Sequence, residues 1–178
     1  MFDFLKKAVK PTPFSPGAVK TVLHKDLDFT STEQYKVLRT NLRFTLPEGV
    51  KCPIIGVTSS MRGEGKSTTA INLSYVLAES GKRVLLVDGD MRIPSIAKKM
   101  GINGDYGLTN YLMKTEVRPL DTLKSEILDN WYIMPSGELP PNPSELIGSR
   151  RMGSLLETLS QEFDYIIVDL PPVNIVSD

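Results

Sequence analysis

Lys66 and Ser67 follow two glycines, Gly63 and Gly65, and open a run in which Ile71, Leu73, Val76 and Leu77 recur at helical spacing. Glycines here let the backbone approach an anion and take dihedrals that a Cβ forbids, so successive amide groups turn inward at phosphate oxygens. The helix that follows brings its positive N-terminal end to the same point. Lys66, the only positioned cation inside this loop, suits terminal phosphates, and the Ser67 hydroxyl is a short, hard oxygen ligand for Mg2+. Arg62, Gly63, Glu64, Gly65, Lys66, Ser67 and Thr68 are therefore the expected nucleotide-binding residues. The fit to G-x-x-x-x-G-K-[ST] is incomplete, because Ser60 stands where the first glycine would be.

Acidic residues end two later apolar runs. The segment RVLLV at 83–87 reads as a buried parallel strand and leads into Asp88, Asp90 and Arg92. Alternate residues of an extended segment share a face, so Asp88 and Asp90 are expected in solvent-facing space beside one phosphate–metal cluster. Two such carboxylates divide the work, one holding water on Mg2+ and the other taking a proton from an incoming hydroxyl. Taken alone, Asp-Gly-Asp reads as a solvated turn at a strand end rather than as a site. The run at 165–168 ends at Asp169, placed as a Mg2+ carboxylate, and Pro171 and Pro172 then stop the strand. Lys66, Asp88 and Asp90 are thus the catalytic candidates, and Ser67, Asp88 and Asp169 the metal-binding ones.

These side chains need strands to carry them. Segments 53–58, 83–87, 131–134 and 165–168 read as parallel strands, and 67–80 and 150–163 as covering helices. The class is α/β: a P-loop nucleoside triphosphatase with a mostly parallel, doubly wound sheet flanked by helices and a nucleotide site at the strands' carboxyl ends. Short helices are expected near 95–100, 107–113 and 119–128. Ser144, after the Pro-rich 140–143, is expected to cap another, with Glu145 in its first turn. Residues 1–29, with Pro11, Pro13, Pro16 and Gly17, read as an extended leader, and 30–178 as the P-loop domain. The domain's first helix, at 30–46, begins with Ser31 and Gln34 at capping-box spacing. One stripe of it carries Tyr35, Leu38, Leu42 and Leu46, and a neighbouring stripe Lys36, Arg39 and Arg43; by spacing alone the basic stripe is a solvated edge.

The chain has 178 residues, 40% of them hydrophobic, enough for one domain with a sizeable core. Lys+Arg 21 balance Asp+Glu 21, so nothing in the charge points to nucleic acid. Cys52 has no disulfide partner and reads as a packing residue in a reducing compartment, and His24, the single histidine, supports neither a metal site nor a relay. No stretch approaches the ~20 apolar residues that cross a bilayer. The opening MFDFLKKAVK lacks a secretory signal's apolar core and reads as a frayed terminus, with an amphipathic membrane or partner contact as the alternative.

The segments EQYKVLRTNLRF, SSMRGEGKST, VLLVDGDMRIPS, GLTNYL, LPPNPSELIGS and FDYIIVDLPPV resemble the bacterial tyrosine kinases of capsule and exopolysaccharide synthesis, in their separate cytoplasmic form. They cover nearly all of the chain after its first thirty residues. The resemblance implies transfer of the γ-phosphoryl group of ATP, with Mg2+, to tyrosine. It matches Lys66 and Ser67 to phosphate and metal contacts and Asp88, Asp90 and Asp169 to three acidic positions, with Asp88 activating the acceptor hydroxyl. It also implies ring-shaped self-association through an E-x-x-R-x-x-R helix, here Glu33, Lys36, Arg39 and Arg43 with lysine in the middle. A membrane adaptor of the polysaccharide co-polymerase type, protein tyrosine acceptors and a peripheral place at the inner face of the plasma membrane follow from the same likeness.

Met61 stands where related cell-division and plasmid-partition ATPases carry a signature lysine; Arg62 replaces a proline and Ile93 a lysine frequent in the kinases. The family continues with a further strand and helix and a carboxyl-terminal tyrosine cluster. The domain is therefore expected to be incomplete, with an edge of its sheet lost. Tyr35, Tyr75, Tyr106, Tyr111, Tyr132 and Tyr165 are scattered and do not resemble an acceptor tail. Two other functions fit the motifs: a partition or cell-division ATPase, and a catalytically weak nucleotide-binding module that regulates a membrane partner.

Overall fold

Four short β-branched runs form the sheet of this computed structural model, which describes residues 29–113 and 120–175. Most of the leader, MFDFLKKAVK, His24, the start of the segment expected to be helical at 119–128 and the chain's last three residues lie outside them. The strands β1 (Ile54–Val57), β2 (Val84–Asp88), β3 (Trp131–Met134) and β4 (Tyr165–Asp169) are all parallel, in the order β1-β4-β2-β3. Every residue of β2, β3 and β4 is buried, as expected of parallel strands covered on both faces. β1 is an edge strand and only half-buried.

The two-residue period of the strands sorts their side chains between two cores. Val84 and Leu86 of β2, with Tyr165 and Ile167 of β4, pack against α2 (Lys66–Glu79) through Ala70, Ile71, Leu73 and Val76. Leu85, Val87, Ile166 and Val168 face the other way, against α4 (Leu108–Met113) and α6 (Arg150–Leu159). The same alternation sends the next residues in phase with Leu86 and Ile167, namely Asp88 and Asp169, to the α2 face. Register places them side by side, since Asp88 pairs with Asp169 across β2 and β4.

The helix α1 (Phe29–Thr45) lies on α2 and buries no residue fully. Tyr35, Leu42 and Leu46 pack against the α2 core, but Leu38 is 39% exposed, so the expected four-residue apolar stripe is one residue shorter. The helix is already formed at Phe29, which puts Ser31 inside its first turn rather than at its cap.

Two further expectations are corrected. Of the segment expected to be helical at 119–128, the described residues hold only a 3₁₀ turn at Leu120–Leu123, and Lys124 then bridges to Tyr132 of β3, because the chain runs back beside the sheet. The helix α5 (Pro143–Ile147) takes Asn142 as its N-cap, with Pro143 at its first position and Ser144 inside it. A proline preset to helical φ starts the helix one residue earlier than a Ser cap would. The motif GLTNYL also gains a physical reason, since a Cβ on Gly107 would overlap the Pro135 carbonyl. Leu108 N–H donates to that carbonyl at 2.8 Å and Thr109 N–H to Ser136 O at 2.9 Å, which lashes α4 to the loop after β3.

Candidate nucleotide and metal site

The loop from β1 to α2 has the backbone that its glycines allow. Gly63 has φ +84 and Gly65, the N-cap of α2, has φ +91, conformations that side-chain-bearing residues rarely adopt. No side chain caps α2, so the amides of its first turn remain turned to an incoming anion. Glu64 instead folds back within the loop, where Oε2 accepts the Met61 N–H at 2.9 Å, and Ser59 Oγ donates to Met61 O at 2.8 Å. Arg62, Gly63, Glu64 and Gly65 are exposed at the mouth, Lys66 and Thr68 are half-buried, and Ser67 is buried.

Lys66 extends across the strand ends. Its ammonium lies 3.0 Å from Asp90 Oδ2, 3.4 Å from Asp169 Oδ1 and 3.3 Å from Ser67 Oγ. Two carboxylates, one hydroxyl and one cation therefore converge where the loop's amides open. Asp169 is fully buried, and its Oδ2 has no hydrogen-bond partner. Burial raises its carboxyl above the ordinary range and Asp90 adds to this, against the Ser67 hydroxyl and the Lys66 ammonium.

The expectation that Asp88 and Asp90 face solvent is overturned, since they are 0% and 5% exposed. Instead Asp88 Oδ2 accepts Ser95 N–H at 3.1 Å and Ile96 N–H at 3.0 Å, capping α3 (Ile96–Met100), and Oδ1 accepts Asp90 N–H at 3.3 Å. Burial pushes the Asp88 carboxyl up to about 7; the Ile96 and Ser95 amides counter this, and the negative charges of Asp169 and Asp90 add to it. Among the described residues no side-chain cation pairs with Asp88, and a carboxylate beside another on the next strand holds its proton more tightly. Asp90 is the member of the pair that meets Lys66; Asp88 is turned to α3.

Two contacts at this end of the sheet were not foreseen from the sequence. Arg92 Nη2 donates to Ser144 Oγ at 2.7 Å, tying the loop after β2 to the NPSEL segment. Lys99 of α3 donates to Thr68 Oγ1 at 3.3 Å. Only the common destination of DMR and NPSEL beyond strand ends hinted at the first; no local signal marked the second.

The basic stripe of α1 is engaged within the chain. Lys36 pairs with Glu33 at 2.9 Å, and Arg39 Nη1 donates to Val76 O of α2 at 2.8 Å, whereas Arg43 is exposed. Cys52 is half-buried against the α6-side core, and burial raises its thiol to about 11, which suits packing rather than nucleophilic attack. Of the six tyrosines, Tyr75, Tyr106, Tyr111, Tyr132 and Tyr165 are buried and Tyr35 is half-buried. No helix among the described residues is long and apolar enough to cross a membrane.

A parallel sheet whose first loop is a glycine turn into an uncapped helix, with lysine and acidic residues at the strand ends, defines a P-loop nucleoside triphosphatase fold. The family described as AAA domain matches residues 52–176. The tyrosine-protein kinase YwqD of Bacillus subtilis (strain 168) is 37% identical over 150 residues, 83% of this chain and 62% of the relative. The tyrosine-protein kinase CpsD of Streptococcus pneumoniae serotype 4 is 36% identical over 160 residues, covering 88% of this chain and 69% of the relative. Among solved structures, the chimerical protein CapA2B2 superposes with a TM-score of 0.74 at 34% identity, over 89% of this chain and 73% of that one. The septum site-determining protein MinD of Pyrococcus horikoshii, complexed with Mg-ADP, reaches a TM-score of 0.55 at 28% identity, over 66% and 48%. The chain belongs to the bacterial tyrosine-protein kinase family. It spans 62% and 69% of the length of the two curated relatives.

Proposed function

We propose that this chain forms the nucleotide-binding and catalytic part of an ATP- and Mg2+-dependent protein-tyrosine kinase of capsular or exopolysaccharide synthesis. The convergence of Lys66, Ser67, Asp90 and Asp169 at the mouth of the glycine loop carries the reading. The chemistry suits a hard cation, because the buried Asp169 Oδ2 lacks a partner next to the Ser67 hydroxyl. Among the described residues no three His, Cys, Asp or Glu side chains group closely enough to hold a metal alone. Ser67 and Asp169 would thus hold it together with phosphate oxygens; Asp88, expected as a third ligand, has its oxygens taken by the Asp90, Ser95 and Ile96 amides. Bound there, Mg2+ neutralises charge on the transferred phosphoryl group.

The chain's residues divide the rest. Loop amides 63–68 cradle the phosphates, with Arg62 and Glu64 at the rim, and Lys66 moves from Asp90 and Asp169 to the terminal phosphates. Asp88 accepts the proton of the tyrosine hydroxyl as that oxygen bonds to the γ-phosphorus; the bond to the β–γ bridging oxygen breaks and ADP leaves. A proton affinity near neutrality suits that task. The acceptor is a tyrosine of another protein or segment, consistent with the burial of this chain's own. The family likeness supports a membrane adaptor of the polysaccharide co-polymerase type, a peripheral place at the inner membrane face, and self-association through Glu33, Lys36, Arg39 and Arg43 on α1.

Met61 in the loop and the higher TM-score to CapA2B2 than to MinD favour this reading over a partition or cell-division ATPase. One observation favours a nucleotide-binding module without transfer: Asp88 is inaccessible and occupied by three backbone N–H groups. Incubating the chain with labelled ATP, Mg2+ and a tyrosine acceptor peptide separates the three. Label on the peptide supports the kinase, free phosphate alone the ATPase, and binding without either product the regulatory module.

A further inference from the structure

Lys99 of α3 sets a cation beside the first turn of α2. Its ammonium is 3.3 Å from Thr68 Oγ1, on the third residue of α2, where the helix presents its positive end. Lys66 at the same helix start is balanced by Asp90 and Asp169. Among the described residues, no carboxylate lies within ion-pair distance of Lys99. Nor is Lys99 a loose surface lysine: it is half-buried, on a helix whose first amides at Ser95 and Ile96 are gripped by the buried Asp88 carboxyl. The grip on α3 sets a second cation against the phosphate loop from outside it.

We propose that Lys99 is a further nucleotide-binding residue of this site, its ammonium contacting the phosphates that ATP and ADP share. The inference rests on the nucleotide-binding reading above. Position decides which phosphates: the long Lys66 side chain reaches toward the terminal end, whereas amides at the helix start cradle the inner ones, and Thr68 lies one turn-step further in. An anion there satisfies the helix end and Lys99 together, converting a repulsive arrangement into a charge-assisted one. Asp88 is then a positioning residue for Lys99 as well as a neighbour of the reacting groups.

The test is equilibrium titration of the chain with Mg-ATP and with Mg-ADP, comparing the native sequence, Lys99→Met, Lys99→Arg and Lys66→Met. Lys99→Met is expected to raise both dissociation constants by the same factor of about tenfold, equivalent to ~1.4 kcal/mol. Lys99→Arg keeps the charge and is expected to stay within about threefold of the native chain. Lys66→Met is expected to weaken ATP more than ADP. Should Lys99→Met fail to fold, Lys99→Gln replaces it, with the same equal rise expected. Unchanged constants in the uncharged variants, or a loss for ATP alone, overturn the proposal while leaving the site itself intact. A native chain that binds neither nucleotide removes both this proposal and the nucleotide reading.

Discussion

Lys66 Nζ and Asp90 Oδ2 are 3.0 Å apart, an ion pair that joins the first residue of α2 to the loop after β2. Lys66 also pairs with Asp169 through Oδ1, so ammonium and divalent cation share that carboxylate and compete for it until phosphates draw the lysine away. Lys66→Met is therefore expected to act in opposite directions. Stabilisation by Mg-ATP, roughly 2.7 kcal/mol at about 100 times the dissociation constant, should largely disappear, whereas binding of free Mn2+ should tighten. Thermal shifts with nucleotide and paramagnetic detection of Mn2+ check the two halves. Mn2+ binding no tighter than in the native chain would show that the ion pair does not restrain the metal.

Asp88→Asn separates binding from transfer. Asparagine retains an acceptor for the Ser95 and Ile96 amides, so α3 stays capped while the proton acceptor is lost. Phosphate transfer to a tyrosine peptide is expected to fall by about 10²–10⁴, with nucleotide affinity changed far less. Asp169→Asn should lower Mg2+-dependent binding as well. If Asp88→Asn lowers affinity as much as turnover, Asp88 is not the base.

The raised Asp88 carboxyl predicts a pH dependence of stability. Its ordinary value is 3.8 and its folded value about 7, so between these limits the folded chain holds a proton that the unfolded chain has released. Stability therefore falls as pH rises through that window and levels off above it, by up to ~1.4 kcal/mol per pH unit. Asp169 shifts in the same direction. Urea unfolding at pH 5, 6, 7 and 8 without nucleotide is expected to show Asp88→Asn gaining on the native chain at each step. Parallel curves would mean that Asp88 does not titrate in this range.

The α1 contacts make the basic residues unequal. Arg39 donates to the Val76 carbonyl, so Arg39→Ala should cost about 1–2 kcal/mol of chain stability in addition to any loss of self-association. Arg43 is exposed, beside an outer face with Phe44 at 85% and Val37 at 50% exposure. Arg43→Ala should leave unfolding unchanged and weaken association alone, and Lys36→Arg should strengthen it by offering a planar fork. Sedimentation at two salt concentrations, with unfolding curves on the same samples, distinguishes these outcomes. Identical oligomer distributions in all variants would make α1 a helix of the monomer only.

Much of the site was legible because its parts are local. A glycine turn, the lysine and hydroxyl after it, and an acid at the end of two buried strands are consequences of short-range backbone chemistry. The structure brings Lys66, Ser67, Asp90 and Asp169 together beyond the strand ends, with Asp90 buried rather than facing solvent. The strands β2, β3 and β4 and the helix α2 were equally readable, since near-continuous apolar runs can be satisfied only by burial on both faces. Where local signals competed, the reading slipped. Ser31 and Ser144 carry capping chemistry, yet packing of α1 on α2 and the fixed φ of Pro143 set other helix starts.

Tertiary structure alone decided which charges meet. Sequence specifies that Asp88 and Asp169 end strands, but only the order β1-β4-β2-β3 and its register set them side by side on the α2 face. That proximity, with burial, makes Asp88 hold its proton and turns it toward the α3 amides rather than solvent. Arg92 with Ser144, and Lys99 with Thr68, are likewise products of crossover connections that bring distant segments to one end of the sheet. Short-range periodicity assigns a side chain to a face, whereas the neighbours on that face depend on pairings between remote segments, which no local pattern encodes.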